Sequence, residues 1–134
     1  MESTEIRITT GTSPATVDIT SEVAGFVREK GDGLVSVFVP HATAGVAILE
    51  TGAGSDRDLV HHLDTLFPRD DRWSHRHGSP GHGADHVMPA FVSPSVTIPV
   101  IDGRMALGTW QSIVLVDPNR DNANRRVRLS FLAG

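Results

Sequence analysis

The 134-residue chain contains no cysteine. Disulfides, thiolate metal sites and thiol nucleophiles are thereby excluded, which leaves histidine and carboxylate as the protein groups able to ligate a metal. Positive charge is not in excess either: 12 Lys and Arg against 16 Asp and Glu give a formal net charge of −4. A broad surface for nucleic acid or an anionic membrane is therefore not expected, while small anions stay within reach of a local basic patch. No run approaches the roughly 20 apolar residues that cross a bilayer, and "MESTEIRITT" has neither the basic nor the apolar segment of a leader. A cytoplasmic protein is the expectation. With 39% hydrophobic residues, the chain reads as one domain spanning residues 1–134, built on a single core.

The periodicity of what is present predicts an α+β fold with a largely antiparallel sheet and two main helices. "EIRITT" alternates as a half-buried strand. "TVDITSEVAGFVREKGDG" reads as a helix with Thr20 as N-cap, an apolar stripe of Val23, Phe26 and Val27, and a stop at Gly31. "LVSVFVP" has the β-branched pattern of a strand buried on both faces and ends at Pro40. "SDRDLVHHLDTLFP" reads as a second helix, with Ser55 as N-cap and Leu59, Leu63 and Leu66 at helical spacing. In the last third, Asp102-Gly103 between extended runs is a hairpin signal, and "RVRLSFL" alternates as a strand after the polar turn "DPNRDNANR". Six or seven strands are expected. Pro99 points to a strand edge or a bulge.

The densest chemical signal is "SHRHGSPGHGADH", which holds four of the seven histidines: His75, His77, His82 and His86. Its Gly and Ser content argues against a helix interior. Two readings stand beside each other, a solvated polar loop and a loop that delivers imidazole ligands to an open metal site. His41 follows a strand and precedes the small-residue turn "ATAG", so it is either a hydrogen-bonded strand-end residue or a further ligand. His61 and His62 diverge by about 100° on a helix and cannot grip one ion, so a surface position is expected. Glu50, Arg57 and Asp58 cluster between a strand end and a helix start. "GTWQ" (Gly108, Thr109, Trp110, Gln111) interrupts an apolar strand, as a bulge with a core Trp or as a ring face and amide for a flat ligand.

Taken in order, "FVPHATAG", "ILE", "DRDL", "LFPRDDRWSHRHG", "ADH" and "PSVTIPVIDGRMALGTWQSIVLV" resemble the YjbQ family, an uncharacterised protein family often labelled secondary thiamine-phosphate synthase enzyme. The resemblance runs from about Val17 to Leu132, and its most specific part is "SVTIPVIDGRMALGTWQ". It implies a compact α+β domain that assembles as a homotrimer, with polar residues in a cleft near the subunit boundaries. Family patterns fall on His41, Glu50, Arg57, Asp58, His77, His86 and the segment from Gly108 to Gln111. The resemblance thus implies His41, His77 and His86 as metal ligands and catalytic residues, with Glu50 beside them. Arg57, Gly108, Thr109, Trp110 and Gln111 would bind substrate, and His75 and His82 would be incidental. The sequence departs from the family pattern at Ala42, Leu49 and Ala53.

The implied activity is thiamine-phosphate synthase chemistry on small phosphorylated substrates, joining an aminopyrimidine pyrophosphate to a thiazole phosphate with a divalent cation, Zn²⁺ or Mg²⁺, at the leaving group. Two alternatives stand beside it. One is a hydrolase that uses a histidine-bound ion and Glu50 as general base. The other is a non-catalytic trimer that binds a phosphate ligand or metabolite.

Overall fold

The computed structural model describes residues 1–118 and 121–134. Eight strands and three α-helices lie among them: β1 (Glu2–Thr9), β2 (Ala15–Asp18), α1 (Thr20–Val27), β3 (Gly33–Phe38), β4 (Gly45–Leu49), α2 (Ser55–Leu66), α3 (Gly83–Val87), β5 (Ser95–Ile101), β6 (Arg104–Met105), β7 (Ser112–Asp117) and β8 (Asn124–Ala133), with a 3₁₀ turn at Met88–Ala90. The strands form two antiparallel sheets. One has the order β1-β8-β3-β5-β6 and the other β2-β7-β4. The α+β class and the antiparallel pairing agree with the sequence pattern.

The sheets face each other across the main core. Val35 and Val37 of β3, with Val127, Leu129 and Phe131 of β8, meet Ile113 and Leu115 of β7, and α1 adds Val23 and Val27. The other face of β7, Val114 and Val116, packs on Leu63 of α2 and on Met88. β7 is therefore the strand buried on both sides, which explains its unbroken "IVLV". The same expectation for "LVSVFVP" is corrected: β3 buries one face, and Leu34 and Phe38 are 45% and 41% exposed because none of the described residues covers them on the outside of the five-stranded sheet.

Other local expectations are also revised. "TVD" belongs to β2, paired with β7, so the helix starts only at Thr20. Thr20 and Ser55 are first helical residues and not caps. The Thr20 hydroxyl instead donates to Asp18 (2.6 Å) and accepts the Ile113 N–H (2.9 Å). The Asp102-Gly103 hairpin forms as expected, with Ile101 paired to Arg104 and φ of 49° and 71° at the two turn residues. Pro99 lies where the short β6 ladder has ended. The polar turn read between Asp117 and Arg125 includes Asn119 and Arg120, which lie outside the described residues.

One buried ion pair joins the sheets. Arg125 of β8 points inward and is 2% exposed; its Nε and Nη2 donate to the Asp117 carboxylate at 2.8 Å each, and Nη2 also donates to Thr43 Oγ1 at 3.0 Å. Thr10 Oγ1 donates to the same carboxylate. Removing one partner of such a pair strands a buried charge, at a cost of about 3–5 kcal/mol. Asp117→Asn should therefore lower the unfolding free energy by about 3 kcal/mol in a urea titration, and Asp117→Leu with Arg125→Met should cost less than either single change.

Candidate metal centre

The histidine-rich segment does not stay a loop. It ends in α3, with His82 at the N-cap and His86 one turn later, so the two rings share a helix face at four-residue spacing. Their Nε2 atoms are 3.0 Å apart. His75 comes from the preceding extended segment, with its ring centroid 4.0 Å from that of His86. One nitrogen from each of His75, His82 and His86 lies within 4.8 Å of the others. Nitrogens at 2.0–2.1 Å from a tetrahedral Zn²⁺ stand about 3.4 Å apart, so small ring movements would bring all three onto one ion. His75 Nε2 supplies an independent sign of fit: it is buried with no hydrogen-bond partner among the described residues, a state that a ligand would relieve.

The surroundings hold these rings in place. At Gly83 a Cβ would stand 2.5 Å from the Trp73 side chain and 2.7 Å from the His75 carbonyl oxygen, so only glycine lets α3 approach the segment that carries His75. Gly81, at φ 76°, similarly lies against the Arg69 backbone. Arg69 Nη2 donates to both oxygens of the buried Asp85 at 2.7 Å and to the Pro118 carbonyl, tying α3 to the end of β7. Behind His82, the Asp121 carboxylate is 2.9 Å from Nδ1 and that of Asp85 is 3.5 Å away. The Asp121 contact is electrostatic, since it does not meet hydrogen-bond geometry. Both carboxylates thus stand on the Nδ1 side of His82, the side from which a carboxylate orients a ligating imidazole once the ring N–H donates to it.

Electrostatics suit neutral ligands. Burial, reinforced by the neighbouring rings, pushes His75 and His86 below the usual imidazole range. Burial pushes the Asp85 carboxyl up, against the pull of Arg69. Hydrogen bonds from the Ser79 hydroxyl and N–H hold Asp121 below the ordinary carboxylate range.

Of the residues singled out in the sequence, His77 and His86 come to this cluster. His77 is exposed, with its ring 3.9 Å from His75 and 5.9 Å from both His82 and His86, outside the converging set. His41 stands apart from the converging nitrogens: its Nε2 accepts the Arg126 N–H at 2.9 Å, and it lines a different pocket with Arg7, Asn122, Asn124, Arg125 and Arg126. Glu50 follows β4, and Gly108, Thr109, Trp110 and Gln111 form an exposed turn leading into β7, closed by the Gly108 N–H donating to Gln111 Oε1 at 2.7 Å. Leu49 pairs with Ser112, so Glu50 and Gln111 leave the sheet together, at the opposite end of β7 from Pro118. Seven residue steps separate Gln111 from Pro118, about 23 Å of extended chain, which keeps Glu50 and Trp110 at the other end of β7 from the contact that holds α3. Arg57 and Asp58 are exposed in the first turn of α2, and His61 and His62 lie on its exposed face as expected. The convergence of His75 and His82 on His86 was not anticipated. The H-x₃-H spacing of "HGADH" was the available signal, masked by flanking glycines that read as loop.

The class of protein defined by this geometry is a small α+β domain of two facing antiparallel sheets with a histidine cluster at one end. The chain belongs to the YjbQ family: the model described as "UPF0047 protein YjbQ-like" matches residues 4–134. It is 67% identical to UPF0047 protein Mb2586c of Mycobacterium bovis over 118 residues, covering 88% of this chain and 92% of that one. It is 36% identical to UPF0047 protein YugU of Bacillus subtilis, covering 81% and 83%. Its fold is similar to the crystal structure of hypothetical protein APE1520 from Aeropyrum pernix K1, with a TM-score of 0.90, 30% identity and full coverage of both chains. No described helix is long and apolar enough to cross a membrane.

If the cluster binds Zn²⁺, His75→Ala, His82→Ala and His86→Ala should each weaken affinity by more than the roughly 10- to 100-fold expected for the orienting carboxylate in Asp121→Asn, while His41→Ala leaves it unchanged. Competition with a chromogenic chelator measures all five proteins. A second expectation concerns stability. Burial, together with Arg125 and Arg126, holds His41 below its ordinary value, so between that lowered pKa and about 6.5 the unfolded chain binds a proton that the folded one refuses. Stability should therefore fall as pH drops from about 6.5, and His41→Gln should remove its share of that fall in denaturation curves recorded across this range.

Proposed function

We propose that this chain is a metal-dependent hydrolase acting on a small molecule, with His75, His82 and His86 as the ligands of a divalent ion. The observation that carries the reading is the convergence of one imidazole nitrogen from each of three residues within 4.8 Å, beside a buried His75 Nε2 that has no hydrogen-bond partner among the described residues. Three imidazoles suit Zn²⁺ better than oxygen-seeking Mg²⁺. When bound, such an ion supplies Lewis acidity and makes water acidic enough to ionise near neutral pH.

The remaining roles belong to the chain. His75, His82 and His86 donate lone pairs as neutral rings, Asp121 and Asp85 keep His82 in orientation, and Arg69 keeps Asp85 in place. His77, exposed and packed against His75, takes the general-base role first expected of Glu50, accepting a proton at a ring nitrogen and returning it to the leaving group. Thiamine-phosphate synthase chemistry has weaker support, because the ring-binding residues expected for it, Trp110 and Gln111, lie at the opposite end of β7 from Pro118, to which Arg69 ties the histidine-bearing α3. Assembly as a homotrimer is part of the proposal. Its support is the uncovered outer face of the five-stranded sheet, where exposed Leu34 pairs with exposed Leu132.

The test is turnover of chromogenic phosphate and carboxylate esters by the zinc-loaded protein. Hydrolysis should vanish on chelation, return with Zn²⁺, and be lost in His86→Ala. His77→Gln should lower kcat by about 10²- to 10⁴-fold with metal content unchanged. Thiamine phosphate formation by wild type and by His86→Ala at equal rates, with no metal-dependent hydrolysis, would favour the transferase instead.

A further inference from the structure

Two arginines oppose each other on the outer face of the five-stranded sheet. Arg7 of β1 is in direct register with Arg126 of β8, an arrangement that brings Cβ atoms to about 5 Å and is unfavourable for like charges. The neighbouring acid does not resolve it. Glu5, on the same face, lies 3.4 Å from Arg128 Nη2 and 3.8 Å from Arg126 Nη1, so one carboxylate is shared by two guanidiniums. Arg7 makes no ion pair among the described residues.

The two arginines do not simply face solvent. With His41, Asn122, Asn124 and Arg125 they line an open pocket of about 390 Å³. No carboxylate is among the described lining residues. Because His41 Nε2 accepts the Arg126 N–H, the neutral ring keeps its proton on Nδ1 and is itself a donor. Arg125 also lines the pocket, but its guanidinium is buried on the inner face of the sheet and matched by Asp117. Guanidinium, imidazole N–H and amide donors around one cavity, with positive charge left uncompensated, form a receptor for a compact anion.

We propose that this pocket binds a tetrahedral oxyanion, the phosphate group of a small ligand or free phosphate, between Arg7, Arg126 and His41. The site needs no metal. It does adjoin the histidine cluster: Asn122 of the pocket follows Asp121, whose carboxylate lies 2.9 Å from His82 Nδ1, so a phosphorylated ligand held here would sit at the same end of the molecule.

The experiment uses the full chain, stripped of metal by chelation and held in phosphate-free buffer. Inorganic phosphate and phenyl phosphate are titrated in parallel while NMR follows the Arg126 amide and the His41 ring, with chloride at matched ionic strength as control. Saturable shifts are expected for phosphate and not for chloride, weakened at least about tenfold, or about 1.4 kcal/mol, in Arg7→Gln and in Arg126→Gln and unchanged in His86→Ala. Without phosphate, Arg7→Gln should melt higher than wild type, since the repulsion is gone, and should lose the phosphate-dependent rise that wild type shows. Tighter binding of phenyl phosphate assigns the pocket to a ligand's phosphate group, and equal or weaker binding assigns it to free phosphate; either supports the site. A phosphate response no larger than that of chloride, or one that both arginine variants retain, overturns it. Neither result bears on zinc affinity, so the metal centre is judged separately.

Discussion

The bidentate pairing of Arg125 with Asp117 is the constraint on which the histidine-bearing end of this molecule depends. Asp117 is the last residue of β7, in the three-stranded sheet, and Arg125 is the second residue of β8, in the five-stranded sheet. Their contact fixes where the two sheets meet. The chain between them has to leave one sheet and return to the other within a few residues. On that return it carries Asp121 behind His82 and Asn122 into the pocket of His41 and the arginines. A buried pair of this kind is costly to desolvate and adds little net stability over apolar packing. What it gives here is position, because a hydrophobic replacement would not hold two strand ends in one register.

A second polar contact repeats this logic closer to the histidines. Arg69 reaches from the chain after α2 to Asp85 of α3 and to the Pro118 carbonyl beyond β7. Five helical residues are too few to be stable alone. α3 persists because it is pinned at Asp85, packed through Ala84 and Met88, and allowed by Gly83 to lie against Trp73 and His75. The convergence of the three imidazoles is thus a product of tertiary contacts, with almost no contribution from local propensity.

That distinction explains what could be read from the sequence. The strongly periodic parts, α1, α2, the Asp102-Gly103 hairpin and the alternating β8, were legible because their hydrophobic spacing and turn chemistry act locally. β2 was not, since four residues of "ATVD" carry no period of their own and become a strand only by pairing with β7. "LVSVFVP" misled because composition does not say whether a sheet face is covered. The histidine segment was singled out, but its glycines were read as permission to bend away from helix. Gly83 instead permits close packing, and it turned His82 from an incidental residue into a helix-borne one. His41 was grouped with His77 and His86 on family pattern. In one chain it lines a different pocket, beside Arg7 and Arg126, and accepts the Arg126 N–H. The opposed pair Arg7 and Arg126 could not be seen at all before the register of β1 on β8 was known.

The most direct measurement is anomalous diffraction at the zinc edge from crystals of the zinc-loaded protein. One ion per chain at about 2.0–2.1 Å from ring nitrogens of His75, His82 and His86, with His41 still accepting the Arg126 N–H, is the result expected. An ion held through His41, or an empty histidine cluster at stoichiometric Zn²⁺, would contradict it.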